Sequence, residues 1–110
     1  MAGVQIKSLD QPEETIDYDA EGDAGAVTVG RSTVWRSTLL PGWSWEHNVK
    51  PYTGLDSCPK SHREYVVSGR IRYRMSDGTQ AEGKAGDHLV IEPGHSAEVV
   101  GDEPCVLIDW

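Results

Sequence analysis

Phenylalanine is absent from this 110-residue chain, cysteine and methionine occur twice each, and basic residues number 10 against 18 acidic ones. Each shortage excludes something. Two cysteines, Cys58 and Cys105, are too few for the multiple bridges of a disulfide-stapled scaffold, and two thiols in a reducing compartment are expected to be free. The formal charge of −8 repels phosphate backbones and anionic lipid, so neither nucleic acid nor membrane is an expected partner. No apolar run approaches the roughly 18 residues that cross a bilayer, and residues 1–10 lack a basic region followed by an apolar stretch and a cleavage site. The expectation is a soluble, cytoplasmic protein.

Helical periodicity is also missing. No window of about 11 residues keeps apolar side chains at i, i+3, i+4 and i+7, and no repeat or low-complexity segment is visible. A chain of this length supplies one core. From residue 26 onward, short stretches of strand-forming residues alternate with Gly, Pro and Asp. Strands are predicted at 26–29, 33–40, 43–48, 63–67, 70–75, 79–82, 88–91, 97–100 and 105–108. The clearest is 70–75, where Ile71, Tyr73 and Met75 fall on one face and three arginines on the other. Asp77-Gly78 after it predicts a two-residue hairpin turn. Residues 10–23 carry seven acidic and no basic side chains, so residues 1–25 are expected to be an acidic arm or loosely held segment, with a β-barrel domain at 26–110. The fold class is all-β, a small barrel or jelly roll with little or no helix.

Two stretches carry a resemblance. Cys58-Pro59-Lys60-Ser61-His62-Arg63-Glu64-Tyr65-Val66-Val67-Ser68-Gly69 and Gly86-Asp87-His88-Leu89-Val90-Ile91-Glu92-Pro93-Gly94-His95 resemble, in order, the two motifs of the cupin superfamily, G-x5-H-x-H-x3-4-E-x6-G and G-x5-P-x-G-x2-H. The spacing back from Gly69 places His62 where most cupins have a metal-binding glutamate. Cys58 stands at the second histidine position and Asp56 at the first. In the second motif Ala97 takes the histidine position, and His95 is the substitute. The segment Leu40-Pro41-Gly42-Trp43-Ser44-Trp45-Glu46-His47 looks like the opening of the first motif, with an insertion at 48–57. The resemblance implies a cupin β-barrel whose mouth holds a metal ion, and a menu of lyase, isomerase, oxygenase or heteroatom-bond chemistry.

Residue chemistry bears on the same positions. First-row metals need imidazole, thiolate or carboxylate donors converging from separate strands, and His47, Cys58, His62 and His95 are the candidates. Strand alternation sets His62, Glu64 and Val66 on one face, where a core histidine bonded to a carbonyl is the competing reading of His62. Cys58 also reads as a small buried hydrophobe, and His95 as a solvent-facing turn residue. If Trp43 and Trp45 line the core, His47 points inward with them and Glu46 does not. Glu46 and Glu64 are candidate general bases. Trp43, Trp45, Tyr52 and Tyr65 are candidate pocket walls or simply the core of the barrel, and Arg36 and Lys50 are candidates to hold an anionic substrate or belong to a solvated face. His88 reads as packing or surface and Cys105 as core. A thiolate and imidazole set favours zinc, with iron(II) second. The function expected is a metalloenzyme acting on a small organic molecule. The alternative is a non-catalytic ligand-binding or sensor module, and exposed sheet edges would suit a homodimer.

Overall fold

The computed structural model describes residues 3–110. Among the described residues nine strands form two antiparallel sheets: β1 (Glu14–Asp17), β2 (Gly22–Val29), β3 (Ser32–Leu39), β4 (His62–Ser68), β5 (Arg70–Met75), β6 (Gln80–Lys84), β7 (His88–Ile91), β8 (His95–Val99) and β9 (Cys105–Asp109). The larger sheet has the order β1-β2-β3-β9-β4-β7, and the smaller has β6-β5-β8. Among the described residues helix is confined to a 3-10 turn at Asp19–Glu21 and two single α-turns, α1 (Trp45–Asn48) and α2 (Lys50–Thr53). The all-β class with little helix is what the chain adopts. Among the described residues no helix is long and apolar enough to cross a membrane.

Period-two alternation sets the inner faces. On β4, Glu64 and Val66 are buried while Arg63, Tyr65 and Val67 are exposed. On β5, Ile71 and Tyr73 are buried between exposed Arg70 and Arg74, and β9 buries Cys105 and Leu107. These side chains meet Leu39, Trp43 and Ile91 in one core. Both cysteines are free and buried.

Three local expectations are corrected. The strand predicted over 43–48 is a helical turn. Ser44 caps it by accepting from the His47 N–H at 3.1 Å, while the Asn48 side-chain oxygen accepts from the Ser44 N–H. Pro51 then sits in the first turn of α2, which ends at left-handed Gly54.

The acidic stretch read as loop contains β1 and the start of β2. Glu14 pairs with Ala26 and Asp17 with Asp23. Strand pairing uses backbone groups, and all four β1 side chains are exposed, so charge suits this sheet edge. Glu13 also accepts from the Thr28 N–H at 2.9 Å.

The turn after β5 is longer than the expected two residues. Gly78 N–H donates to Met75 C=O, and Met75 N–H to Thr79 C=O. Only Gly78 of the Asp-Gly pair has positive φ, so this is a type I turn with a left-handed glycine.

Gly69 carries the chain from one sheet to the other between β4 and β5. Its φ is +76°, and a Cβ there would lie 2.3 Å from the Pro104 carbonyl oxygen. Gly86 has φ of +95° with nothing within 4 Å of the same position. Gly86→Ala should therefore cost roughly 1 kcal/mol of left-handed strain. Gly69→Ala should cost about 1–3 kcal/mol more, because backbone must move. Urea denaturation of the two variants measures the difference, and equal losses would refute the steric account.

Candidate metal centre

His62 opens β4 on the inward face, two residues before Glu64. The β4–β9 register places Asp109 directly opposite Glu64, and from there its carboxylate Oδ2 accepts from His62 Nδ1 at 2.8 Å. His95 opens β8, opposite Met75. Cys58 lies on the loop before β4 and is pinned to the start of β8 by two backbone bonds of 2.8 Å, Cys58 N–H to His95 C=O and Gly94 N–H to Cys58 C=O. A loop, β4 and β8 thus deliver three donors to one place. Cys58 Sγ lies 3.4 Å from His62 Nε2, the two imidazole rings are 5.1 Å apart, and one donor atom from each of Cys58, His62 and His95 falls within 4.8 Å of the others.

The second nitrogen of each ring is already engaged. A carbonyl only accepts, so His95 Nδ1 is the protonated nitrogen that donates to Glu92 C=O at 2.6 Å, which leaves Nε2 with its lone pair. His62 Nδ1 likewise donates to Asp109. Carboxylate or carbonyl partners of this kind fix the tautomer of metal-binding histidines. Two donors on a tetrahedral ion with bonds of about 2.3 Å to sulfur and about 2.0 Å to nitrogen stand roughly 3.5 Å apart. The 3.4 Å sulfur to nitrogen separation fits that geometry, so these residues suit a metal ion.

A second group, His62, Glu64 and Asp109, also lies within 4.8 Å. Glu64 is buried and accepts a hydrogen bond from the Tyr73 hydroxyl. Burial pushes its carboxyl up to about 7, against the opposing pull of that hydroxyl. The Asp109 hydrogen bond raises His62 to about 9 despite partial burial, with Cys58 adding in the same direction. His95 moves down, chiefly through burial. Burial pushes the Cys105 thiol up to about 12, as suits a core residue.

The other residues singled out in the sequence lie elsewhere. His47 is on α1 with its side chain 69% exposed, paired with Glu21 at 3.0 Å. Strand alternation would have turned it inward with Trp43; in the helical turn only Asn48 is buried. Glu46 borders a small polar hollow with Arg72, Arg74 and Glu98 on the outer side of the smaller sheet. Arg36 bonds Asp10 and the Leu9 carbonyl. Lys50 pairs with Asp56. Trp45 Nε1 donates to Leu55 C=O, the Tyr52 hydroxyl to Asp19, and Tyr65 faces out from β4. His88 stacks on Trp110. None of these joins the Cys58, His62 and His95 cluster.

Sequence reasoning missed Asp109 and the Tyr73 to Glu64 bond. Carrying the alternation of Cys105 and Leu107 one step further marks Asp109 as inward. Nothing local in the sequence couples Tyr73 to Glu64, which belong to different sheets.

Fold and site together define a small cupin-type β-sandwich with a candidate metal site at one end. Solved structures show the same fold at low identity. The chain is similar to an S161A mutant of Bacillus subtilis oxalate decarboxylase (24% identity, TM-score 0.63, covering 92% of this chain and 27% of that one). It is similar to FeII HppE (12% identity, TM-score 0.66, covering 97% and 59%), and to KdgF from Halomonas sp. (14% identity, TM-score 0.63, covering 98% and 91%). No family model matches the chain, and no curated protein matches it.

The raised His62 pKa has a signed consequence for the metal-free protein. A histidine that binds its proton more tightly when folded contributes stability that is fully present below the unfolded value of 6.5 and is lost as pH rises to about 9. NMR titration of the His62 ring should place its midpoint near 9, and Asp109→Asn should return it toward 6.5. An unchanged midpoint in that variant would show that Asp109 is not the cause.

Proposed function

We propose that this domain binds one divalent metal ion through Cys58 Sγ, His62 Nε2 and His95 Nε2, and acts as a metalloenzyme on a small organic molecule. The observation that carries this reading is the convergence of three soft or borderline donors from three segments, with both Nδ1 atoms already held by carboxylate and carbonyl. One thiolate and two imidazoles favour zinc, with iron(II) second; FeII in the similar HppE structure supports the second choice. Three protein ligands leave a coordination position for water or substrate, and the bound ion would supply Lewis-acid polarisation there.

This chain's own residues supply the rest. Asp109 orients the His62 ring. Glu64, with one oxygen engaged by Tyr73, is the buried carboxyl placed to hold or pass a proton beside the ligands. Tyr73 fixes that carboxyl and packs edge-on against His95 with ring centroids 5.6 Å apart, so it positions both groups. Burial of Glu64 and His95 keeps bulk water from the inner side of the site.

One observation favours a second reading. Cys58, His62 and Asp109 also stand in the order of a nucleophile, an imidazole and an orienting carboxylate, at 3.4 and 2.8 Å. That is the arrangement of a thiol nucleophile needing no ion.

Protein purified without chelator should carry close to one equivalent of zinc or iron by elemental analysis, given a single three-ligand site. His62→Ala should lose it while keeping a β-type circular dichroism spectrum, and His47→Ala should retain it. Asp109→Asn should weaken metal affinity roughly 10- to 100-fold, the usual cost of removing a carboxylate behind a histidine ligand. Full metal content in His62→Ala would overturn the assignment. Metal below about a tenth of an equivalent, with fast alkylation of Cys58, would favour the thiol reading instead.

A further inference from the structure

A groove of about 470 Å³ opens between β6 and β7, the edges where the two sheets do not pair. Its position follows from the register. Met75 lies opposite His95 and Ile91 opposite His62, and both side chains line the groove. Each wall therefore ends one strand spacing from a candidate ligand. Tyr73, which bonds Glu64, lies at the same lining. Leu89 closes the far end by packing on the bare backbone of Gly83, where a Cβ would lie 2.8 Å from its Cδ1. Ala81, exposed on β6, lies at the rim.

The lining chemistry selects an occupant. Most of these side chains are apolar, and among the described residues Glu92 is the one charged side chain and no lysine or arginine takes part. The arginines of β5 alternate with Ile71 and Tyr73 and lie on the opposite face of the strand. A dianionic substrate would find no counter-charge here beyond an ion at the metal site, and would meet Glu92. The volume falls within the range of small-molecule sites, which are mostly apolar with a few convergent polar groups at one end.

We propose that the β6–β7 groove seats the body of the substrate, and that this body is neutral and apolar, of the size of a single ring or short branched chain, with a polar end directed to Tyr73, Glu64 and the metal ligands. This assignment rests on the metal-site reading above and adds the substrate class.

The test uses p-cresol as a neutral ligand with one polar end and oxalate as a small dianion, each titrated into the full chain, with and without zinc, while backbone amide resonances are followed by NMR. p-Cresol should shift the Met75, Ala81, Leu89 and Ile91 signals saturably, and oxalate should not in the zinc-free protein, where it has no ion to chelate. Ala81→Trp fills the rim from an exposed position and should weaken p-cresol roughly tenfold or more, about 1.4 kcal/mol, with zinc content unchanged. Ala81→Ser should bind as the parent does. Absence of saturable shifts at these positions, equal binding by Ala81→Trp, or stronger shifts from oxalate than from p-cresol in the zinc-free protein would overturn the assignment. Zinc content is read separately. One equivalent of zinc without p-cresol binding defeats the groove and leaves the metal site standing, whereas p-cresol binding without zinc defeats the metal site alone.

Discussion

The hydrogen bond from His62 to Asp109 is the interaction on which the site depends. It spans the β4–β9 pairing of the larger sheet, next to the edge strand β7, so it can form only when those strands are in register. It also decides which imidazole nitrogen is left over, and that nitrogen is the one facing Cys58 and His95. A slip of one residue in β4 would turn His62, Glu64 and Val66 outward together. Core packing of Val66 against Ile71 and Leu107 therefore holds the chemistry in place, and fold and site share one constraint.

That dependence explains why the sheets were easier to read than the site. Strands β3 to β9 announce themselves through alternation and through the glycines and prolines between them, and these are local properties. Where local signals competed, the reading failed. Trp43-Ser44-Trp45 has the composition of a strand, yet Ser44 and Asn48 bond each other across one turn and the chain becomes helical, which sends His47 to the surface beside Glu21. The run from Asp10 to Asp23 has too few apolar residues to suggest a core element, but an edge strand needs only backbone partners.

The site divides along the same line. Cys58, His62 and His95 were legible as types at suggestive spacings, because each belongs to a motif read along the chain. Their convergence was not, since it depends on the Cys58 loop pairing with the start of β8, a contact between residues 37 positions apart in sequence. Asp109 lies one residue beyond the strand predicted over 105–108 and is the last residue of β9. Tyr73 had been assigned to the inner face without a partner for its hydroxyl, because that partner sits in the opposite sheet.

The charge pattern inside this barrel gives the metal reading its physical logic. Glu64 and Asp109 lie inward, Cys58 can supply a third negative charge, and the groove beside them brings no lysine or arginine. Buried anions need a compensating positive charge or a proton. In the metal-free protein the compensation comes from protons, on His62 against Asp109 and on Glu64 through burial. A divalent ion bound at Nε2 of His62 would replace the proton there and hold the thiolate as well. The same features that make His62 grip its proton therefore also favour a metal ion. His95 differs: it is held low in pKa by burial and its Nδ1 faces only a carbonyl, so it offers a neutral donor at any pH near 7. Of these two candidate donors, one would compete with a proton for the ion and the other would not, and Asp109 is the residue that separates them.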